Sequence, residues 1–474
     1  MKLRHPIFGL LALALLATVG TVRAETIRVA IGTQDTTINC AAGGLLIREL
    51  HLLDKYLPHT GRYAHVTYDV QWKDFTSGAP ITNEMVAGKL DFGVMADFPG
   101  SLNGAAFQKA GKKSVFITVL SGSIDGSGNG IVVPLDSKIH SFADLKGKTI
   151  SVPFASTSHG MLLRAIAAQG WKQDVDVNVI TQAPEVAGSA LKAGRIAAHA
   201  DFAPFSELFE YRGIARKIYD GSQSHAPTFH GSLVDAAYAK QYPEVVVAYL
   251  RAALEANRLL TQDPEKYSLM IEKVTGIEAP VDYLYLGPLG LQTRDLTWKP
   301  EYRRAVATAI ATLKLLKKTD VDLNVDTFVD DRFIREAFKE SGLDYEAALK
   351  NYAPEPLVAN DAVTGKPIRN FKDVARVWVV NESKVRSYDK PAEAFASLKT
   401  IERSDGKVRA VFVHDHTSGL ELFAKQAWYV RDAHGGLAAF LLKSSADAYA
   451  RSTAGAVVDY ANATSGATEA VAAR

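Results

Sequence analysis

Small polar residues follow two predicted strands and precede two predicted helices. Ser77 and Gly78 stand just before Pro80, which is typical of a first helical turn. Thr157 and Ser158 occupy the same kind of position before a second helix, with His159 next to them. Free N–H groups at a helix N-terminus, together with hydroxyl donors, bind anions. Both segments are therefore candidate anion contacts, and a capped helix start with nothing bound is the alternative for each.

Two further polar segments follow predicted strands. Asp97 to Gly100 comes after the strand that ends at Met95 and is interpreted as a turn, and the glycine-rich segment Ser121–Gly128, which includes Asp125, is interpreted as a loop. Open α/β sheets bind ligands at the edge where their strands end. The four segments together therefore indicate one binding edge better than any of them does alone.

The sequence contains none of the common catalytic motifs. It lacks G-x-S-x-G, H-E-x-x-H, the phosphate loop G-x-x-x-x-G-K-[ST], and G-x-G-x-x-G after a strand. Cys40, at the start of a predicted helix, could act as a nucleophile, although a packed small side chain is the favoured interpretation. An enzyme acting on a heteroaromatic precursor stays open as a second alternative, with Cys40, His159 and Asp125 as its candidate residues. The favoured interpretation is that the protein is not an enzyme.

Metal ligands are considered in two places. His159, His199, His225 and His230 fall in one stretch with Asp125 and Asp201, but their spacing matches no standard ligand motif. His414 and His416 would share a face if their strand continued through both, and they are the weaker metal candidates against an exposed strand end. We therefore expect no bound cofactor, and we keep a periplasmic metal-binding or metal-complex-binding protein as the alternative function.

Composition narrows the class of protein. The 474 residues are 47% hydrophobic and 22% charged, as in ordinary globular proteins. With 54 Lys and Arg against 52 Asp and Glu, no strong field points to nucleic acid. The single cysteine excludes a disulfide within the chain.

The first 24 residues have the pattern of an export signal. Lys2 and Arg4 precede an uncharged apolar run, and cleavage after Ala24 fits the small-residue rule. A membrane anchor is the alternative, but the apolar run is short for a spanning helix. Because Glu25 and not Cys follows the cut, we expect a periplasmic protein that is not a lipoprotein.

Strand and helix patterns alternate from residue 26 to residue 192, which indicates an α/β fold with a largely parallel sheet. Helical periods follow at 245–260 and 302–317. Two prolines at 354 and 356 predict a linker over 351–357. An α+β domain is predicted for 358–462, and a disordered tail for 463–474.

The sequence resembles the substrate-binding proteins of nitrate, sulfonate, taurine and bicarbonate ABC importers. The resemblance covers about residues 25–350. The residues that carry it, in order, are 75–80, 87–93, 97–99, 131–134, 139–148, 156–160, 191–194 and 323–330.

This resemblance implies a two-lobed binding protein of type II with hinged lobes. Lobe 1 would span 25–122 and 225–300, lobe 2 would span 123–224, and 301–350 would be a helical closing segment. A small solute would bind between the lobes and be delivered to an inner-membrane permease and its ATPase. We expect a monomer that binds no nucleic acid.

The resemblance also implies which residues face the cleft. Ser77, Gly78, Thr157 and Ser158 would donate to ligand oxygens, and His159 would donate or ligate a metal. Asp97 is a further contact. Asp35, Asp125 and His225 are weaker candidates, and their acidic and imidazole groups leave room for a cationic, zwitterionic or metal-bearing ligand.

The C-terminal domain is similar, more weakly, to copper-chaperone lipoproteins of nitrous oxide reductase maturation. The residues that carry this likeness are 410–419, 426–431 and 446–460. The family's metal motif would fall near 361–367, where this sequence has neither Cys nor Met, so soft Cu(I) ligation is not supported. A structural or docking module is the alternative for this domain.

Overall fold

The computed structural model describes residues 25–465. The predicted signal peptide and residues 466–474 of the predicted tail lie outside the described residues. Within 25–465, no helix has the length and apolar character needed to cross a bilayer.

Seventeen strands form four sheets within the described residues. Their bounds are β1 Thr26–Thr33, β2 Thr67–Asp74, β3 Phe92–Ala96, β4 Ser114–Ser123, β5 Gly130–Pro134, β6 Thr149–Val152, β7 Asn178–Thr181, β8 Ala198–Asp201, β9 Ala215–Asp220, β10 Thr228–Asp235, β11 Ala375–Val379, β12 Arg386–Tyr388, β13 Val408–His414, β14 Glu421–Phe423, β15 Trp428–Arg431, β16 Leu437–Phe440 and β17 Ala456–Val458.

Helices cover the two larger sheets and the C-terminal unit. Their bounds are α1 Leu45–Glu49, α2 Leu52–Tyr56, α3 Gly78–Val86, α4 Asp97–Lys109, α5 Thr157–Ala168, α6 Pro184–Lys192, α7 Phe205–Tyr211, α8 Ala236–Gln241, α9 Pro243–Gln262, α10 Pro264–Thr275, α11 Ala279–Leu286, α12 Pro300–Leu315, α13 Val325–Phe328, α14 Arg332–Glu340, α15 Tyr345–Lys350, α16 Pro391–Arg403 and α17 Lys443–Thr453.

The two larger sheets have the same topology. The first has the order β2-β1-β3-β10-β4 and the second has the order β7-β6-β8-β5-β9. In each, the fourth strand is the one that has just crossed from the other sheet, and it runs antiparallel to both neighbours. We call the first sheet with α1–α4 and α8–α15 lobe 1, and the second sheet with α5–α7 lobe 2. The chain passes between them through residues 124–129 and 221–227, here called the crossover segments.

Burial of apolar strands explains why these sheets form. Every residue of β4 is buried, as expected for a strand covered on both faces. In β2 the less exposed residues alternate with exposed ones, which suits an edge strand. An aromatic cluster of Phe116, Phe229 and Trp298 joins β4 and β10 to the segment before α12.

The C-terminal unit, residues 358–465, contains a four-stranded and a three-stranded antiparallel sheet with α16 and α17. The predicted tail is wrong at its start, because residues 460–465 are helical and Ala463 is fully buried. Arg431 also donates to the backbone oxygen of Ala463 at 3.3 Å. Ala463 and Tyr460 pack this segment against Phe395 and the rest of the unit's core.

Three local predictions need correction. The spacing of Leu and Ile over 42–56 predicts one helix, but the chain forms α1 and α2 with a break at His51, which has a φ of 52°. Asp97 to Gly100 is the first turn of α4 and not a free turn, because Asp97 accepts from the amide of Phe98 at 2.7 Å. The glycine-rich loop begins only after Ser123, where β4 ends.

Candidate functional site

A cavity of 280 Å³ lies between the two lobes. Lobe 1 contributes residues 76–79 and part of the segment 96–102, and lobe 2 contributes residues 153–157 and 181–185. The volume is at the lower end of the range for small-molecule sites, about 300–1,000 Å³, which favours a small ligand. Ser77, Gly78 and Thr157, predicted from separate motifs, thus line one space.

The N-termini of four helices meet at this cavity. Residues at the start of α3, α4, α5 and α6 all line it, and each of these helices has nine or more residues. The first N–H groups of a helix have no partner within it, and the helix dipole adds a partial positive charge. At α3 the N-cap Ser77 makes no side-chain capping bond. The arrangement therefore suits a negatively charged group.

Apart from Glu185, the side chains that line the cavity are neutral. Among the described residues, neither lysine nor arginine lines the cavity, and the one charged side chain there is Glu185, exposed in the first turn of α6. Phe154, Phe202 and Leu102 give it apolar walls. A ligand with an oxyanion head and a short apolar body fits this combination.

Gly78 allows α3 to approach α4 closely. A Cβ atom at this position would lie 2.7 Å from Cβ of Pro99. Because Gly78 has no side chain, the N-termini of α3 and α4 can lie side by side at the cavity wall.

The hydroxyls at the start of α5 are used within the protein. Thr157 donates through Oγ1 to Oδ1 of Asn129 at 3.0 Å, and Ser158 Oγ lies 2.8 Å from Ser156 Oγ. Ser158 is fully buried and does not line the cavity. The expectation that Thr157 and Ser158 donate their hydroxyl protons to a ligand is corrected, and the backbone N–H of Thr157 is the donor that α5 offers to the cavity.

His159 is buried behind the cavity. Its ring stacks on Phe154, with centroids 4.7 Å apart, and Nδ1 accepts from the amide of Ala155 at 3.2 Å. Burial, with a smaller effect of Lys318, lowers the pKa of His159 to about 4. The imidazole is neutral at physiological pH and packs under the α5 turn, so it does not contact the cavity.

Asp97 and Asp35 are buried near the cavity but do not line it. Burial raises the pKa of Asp97 to about 7, against the stabilising amide of Phe98. Asp35 accepts from Thr33 Oγ1 and from Arg48 Nη1, each at 2.8 Å. Asp35 thus links the end of β1 to α1, and we assign neither carboxyl group as a ligand contact.

Asp125 and His225 lie on the crossover segments. Both are exposed, and neither lines the cavity between the lobes. Asp125 accepts from Ser123 Oγ at 2.6 Å, and His225 adopts a φ of 47° at the end of a short 3₁₀ turn. Although Asp125 and His225 are close in sequence to segments that line the cavity, their side chains do not reach it.

The structure adds His230, Thr37 and Gln34 to the cavity. Gln34 donates from Nε2 to the backbone oxygen of Val94 at 2.9 Å. Thr37 Oγ1 is buried and has no hydrogen-bond partner among the described residues. These positions carried no motif, and β10, which holds His230, was not predicted as a strand.

His230 is held as a neutral donor. Asn39 Nδ2 lies 3.3 Å from His230 Nδ1 and also donates to Oε1 of Gln292 at 2.8 Å. An amide nitrogen only donates, so Nδ1 accepts and Nε2 carries the proton. Burial lowers the pKa of His230 to about 3. Nε2 makes no hydrogen bond within residues 25–465 and is available to the cavity.

The candidate nucleophiles are buried and inaccessible to a substrate. Cys40 is 2% exposed, and burial raises the pKa of its thiol. Ser151, His199 and Asp201 form a chain of two 2.7 Å hydrogen bonds that resembles a catalytic triad, but all three are fully buried. No substrate carbonyl can reach this array, and it serves as a polar link between β6 and β8.

The two C-terminal histidines point to different partners. His414, the last residue of β13, donates from Nδ1 to the backbone oxygen of Val374 at 2.8 Å, and burial lowers its pKa to about 4. His416 lies beyond the strand, with Nδ1 3.3 Å from Asp373 and its ring packed on Tyr449. The structure therefore corrects the expectation that they share one strand face. Within the described residues, no group of three or more His, Cys, Asp or Glu could hold a metal ion.

Comparisons with known proteins agree with this architecture. Residues 63–267 match the family model described as NMT1/THI5 like. The putative aliphatic sulfonates-binding protein of Escherichia coli (strain K12) is 28% identical over 281 residues, 59% of this chain and 80% of that protein. The taurine-binding periplasmic protein of the same strain is 27% identical, over 56% of this chain and 84% of that protein.

A solved structure has the same fold. The alkanesulfonate-binding protein SsuA from Xanthomonas axonopodis pv. citri, bound to MOPS, superposes with a TM-score of 0.53 at 21% identity, covering 65% of this chain and all of that one. At this identity the likeness establishes the fold alone. The predicted two-lobed fold and the resemblance to sulfonate- and taurine-binding proteins are confirmed. The likeness of the C-terminal unit to copper chaperones stays a prediction.

Proposed function

We propose that this protein is a periplasmic solute-binding protein that captures a small organic oxyanion, of which a sulfonate is the favoured class, and delivers it to an ABC importer. The observation that carries the proposal is the meeting of four helix N-termini at one small cavity, which no Lys or Arg of residues 25–465 lines. Amide dipoles can bind a permanently charged oxyanion without a buried counter-ion.

Binding would work through closure of the lobes. A solute that contacts α3 from lobe 1 and α5 from lobe 2 makes its full set of contacts only when the lobes are together. The closed form is then stabilised by the difference in affinity between the closed and open forms. The backbone donors of Gly78 and Thr157 and Nε2 of His230 would share the head group, and the aromatic walls would cover its apolar body.

The cellular setting is part of the proposal. The similarity to a taurine-binding periplasmic protein supports a periplasmic location, which the protein would reach through the predicted signal peptide, with cleavage after Ala24 and no lipid anchor. The partners would be an inner-membrane permease and its ATPase. The protein would act as a monomer.

A thermal-shift panel followed by calorimetry tests the proposal. Ethanesulfonate, taurine, nitrate and bicarbonate are compared with chloride and methylammonium at matched ionic strength. A bound solute at 100 times its Kd stabilises the fold by about 2.7 kcal/mol, which is easily detected. We expect stabilisation by at least one sulfonate. Stabilisation by methylammonium alone, with all oxyanions inactive, would contradict the proposal.

Glu185 separates simple anions from zwitterions. Of the residues that the structure describes, Glu185 is the one that brings a charged side chain to the cavity lining. If the solute is a simple sulfonate, Glu185→Gln removes a repulsion and tightens binding of ethanesulfonate; if the solute is zwitterionic, the same change weakens binding of taurine. Glu346→Gln, in the first turn of α15 and outside the cavity, is the control and leaves both affinities unchanged.

A further inference from the structure

The C-terminal unit contacts lobe 2 through α7 and through His140, whose ring lies 5.6 Å from that of Trp428. Tyr211 donates from Oη to the backbone oxygen of Arg409 at 3.0 Å, and its ring packs on Phe423 with centroids 5.3 Å apart. Gln426 donates from Nε2 to the backbone oxygen of Glu210 at 2.8 Å. The contacts of Tyr211 and Glu210 involve the last two residues of α7, so the helix end is tied to the unit.

The same unit contacts lobe 1 through charged groups. Arg376, fully buried, donates to Oη of Tyr283 and to the backbone oxygen of Pro288, each at 3.0 Å. Its guanidinium also pairs with Glu421 from within the unit.

Three further ion pairs strengthen that side, and one of them joins Lys384 Nζ to Glu265 at 3.0 Å. Lys384 Nζ lies 2.9 Å from Asp263, and Arg409 Nη1 lies 2.9 Å from Glu272. The unit therefore holds α10 and α11 of lobe 1 while it also holds α7 of lobe 2.

Two of the helices that the unit holds, α7 and α11, adjoin the crossover segments. Tyr285 of α11 contacts the carboxylate of Glu207 in α7, and its Oη lies 3.1 Å from the backbone oxygen of Gly128 in the first crossover segment. Arg212, just after α7, pairs with Glu278, just before α11, at 2.8 Å.

The crossover segments themselves touch at their glycines. A Cβ on Gly221 would lie 2.1 Å from the backbone oxygen of Gly126. A rotation of the lobes about these segments would change the relative positions of α7 and α11.

We propose that the C-terminal unit is a hinge brace, which holds α7 and α11 together and so favours the closed arrangement of the lobes. Opening would require one set of its contacts to break or slide. The lobe 2 set has two hydrogen bonds and two ring contacts. The lobe 1 set has the two hydrogen bonds of buried Arg376, two ring contacts of Tyr283 and the surface ion pairs of Lys384 and Arg409. The unit would therefore stay with lobe 1 and release α7. The inference needs the lobe movement of the proposed function, but its test needs no solute.

Pulsed dipolar EPR on the solute-free full chain tests the brace. Spin labels are attached through Lys89→Cys in lobe 1 and Lys172→Cys in lobe 2, both exposed, while native Cys40 is buried. The variants Tyr211→Phe and Gln426→Ala each remove one hydrogen bond between the brace and α7. Loss of one such bond, about 1 kcal/mol, should raise the open-to-closed ratio about fivefold, and a longer-distance population should appear.

Matched controls remove hydrogen bonds within a single lobe. Gln173→Ala deletes a contact to Asp174 in lobe 2, and Tyr242→Phe deletes a contact to Glu25 in lobe 1. An interlobe distance distribution that is the same in the brace variants as in the unmutated chain, or that shifts equally in the controls, would overturn the proposal. Tyr211→Phe keeps its ring packing, so it gives the answer even if Gln426→Ala fails to fold.

Discussion

Asn39 Nδ2 lies 3.3 Å from Nδ1 of His230, and this contact fixes the proton of a buried imidazole on the nitrogen that is free at the cavity. The donor is neutral, so the cavity can bind an anion without burying a compensating cation. This suits a protein that must release its solute, because a buried ion pair would be strongly disrupted on opening.

His230→Leu should weaken solute binding, and His230→Gln should retain part of it. Leucine removes the donor, whereas the Gln amide can place an N–H near the position of Nε2. Loss of one hydrogen bond of about 1.5 kcal/mol corresponds to roughly tenfold in Kd. Calorimetry with the solute that gives the largest thermal shift measures both variants. Equal affinity of the Leu variant and the unmutated protein would remove His230 from the site.

The stability of the fold should fall in acid in a manner that depends on His230. Its pKa is lowered to about 3 in the fold, whereas an unfolded imidazole titrates near 6.5. Below about pH 6.5 the unfolded chain binds more protons, so stability is lost as the pH falls toward 3. From pH 8 to pH 5 this amounts to about 2 kcal/mol.

Thermal unfolding of the unmutated chain and of His230→Gln at pH 8 and pH 5 isolates this contribution. The variant should lose less stability between the two pH values. Parallel losses in the two proteins would show that His230 is not responsible.

Asp97 should make the opposite contribution to the pH dependence of stability. Burial raises its pKa to about 7, whereas an unfolded Asp titrates near 4. Between these values the folded chain binds more protons, so the carboxyl costs stability as the pH rises, by up to about 4 kcal/mol at pH 8. Asp97→Asn, which can still accept from the Phe98 amide, should therefore gain stability relative to the unmutated chain at pH 8 and not at pH 4. Denaturant titration at both pH values measures this, and a constant difference would contradict it.

The sequence predicts which residues lie at the ends of the strands. It does not predict the hydrogen-bond partners of their side chains. Ser77 follows β2, which is parallel to its one neighbour β1, and Thr157 follows β6, which is parallel to both β7 and β8. Each therefore lies at the carboxyl edge of its own sheet, and the two edges face the same cavity. The hydroxyl of Thr157 is used by Asn129, 28 residues earlier in the chain, a pairing set by the crossover and invisible to local pattern.

His230 was missed for a related reason. The residues of β10 do not alternate in polarity, since the strand is buried between β3 and β4. Without β10 the sheet order was unknown, and the position of a histidine within it could not be inferred. Asp125 and His225 were assigned to the cleft because they flank it in sequence, but exposed crossover segments carry their side chains away from it.

Two glycines near the cavity should respond differently to alanine. At Gly78 the added Cβ meets Cβ of Pro99 at 2.7 Å, so α3 must shift away from α4; at Gly160 the closest contact is 3.4 Å, to the end of Arg164. Gly78→Ala should destabilise the fold by about 1–3 kcal/mol and weaken solute binding. Gly160→Ala, inside a helix, should be neutral or stabilise by about 0.5–1 kcal/mol. Denaturant unfolding compares the pair, and equal effects would contradict the close approach of α3 and α4.

The buried array of Ser151, His199 and Asp201 should stabilise the fold and perform no chemistry. A fluorophosphonate probe should leave the folded protein unlabelled, because all three side chains are inaccessible. Ser151→Ala leaves Nδ1 of His199 without its 2.7 Å partner and should lower the free energy of unfolding by about 1–3 kcal/mol while solute affinity stays unchanged. Mass spectrometry of the probe-treated protein, with and without prior unfolding, reads the first result. Labelling of Ser151 in the folded chain would return the enzyme hypothesis to consideration, since a nucleophile that reacts with the probe must be open to a substrate.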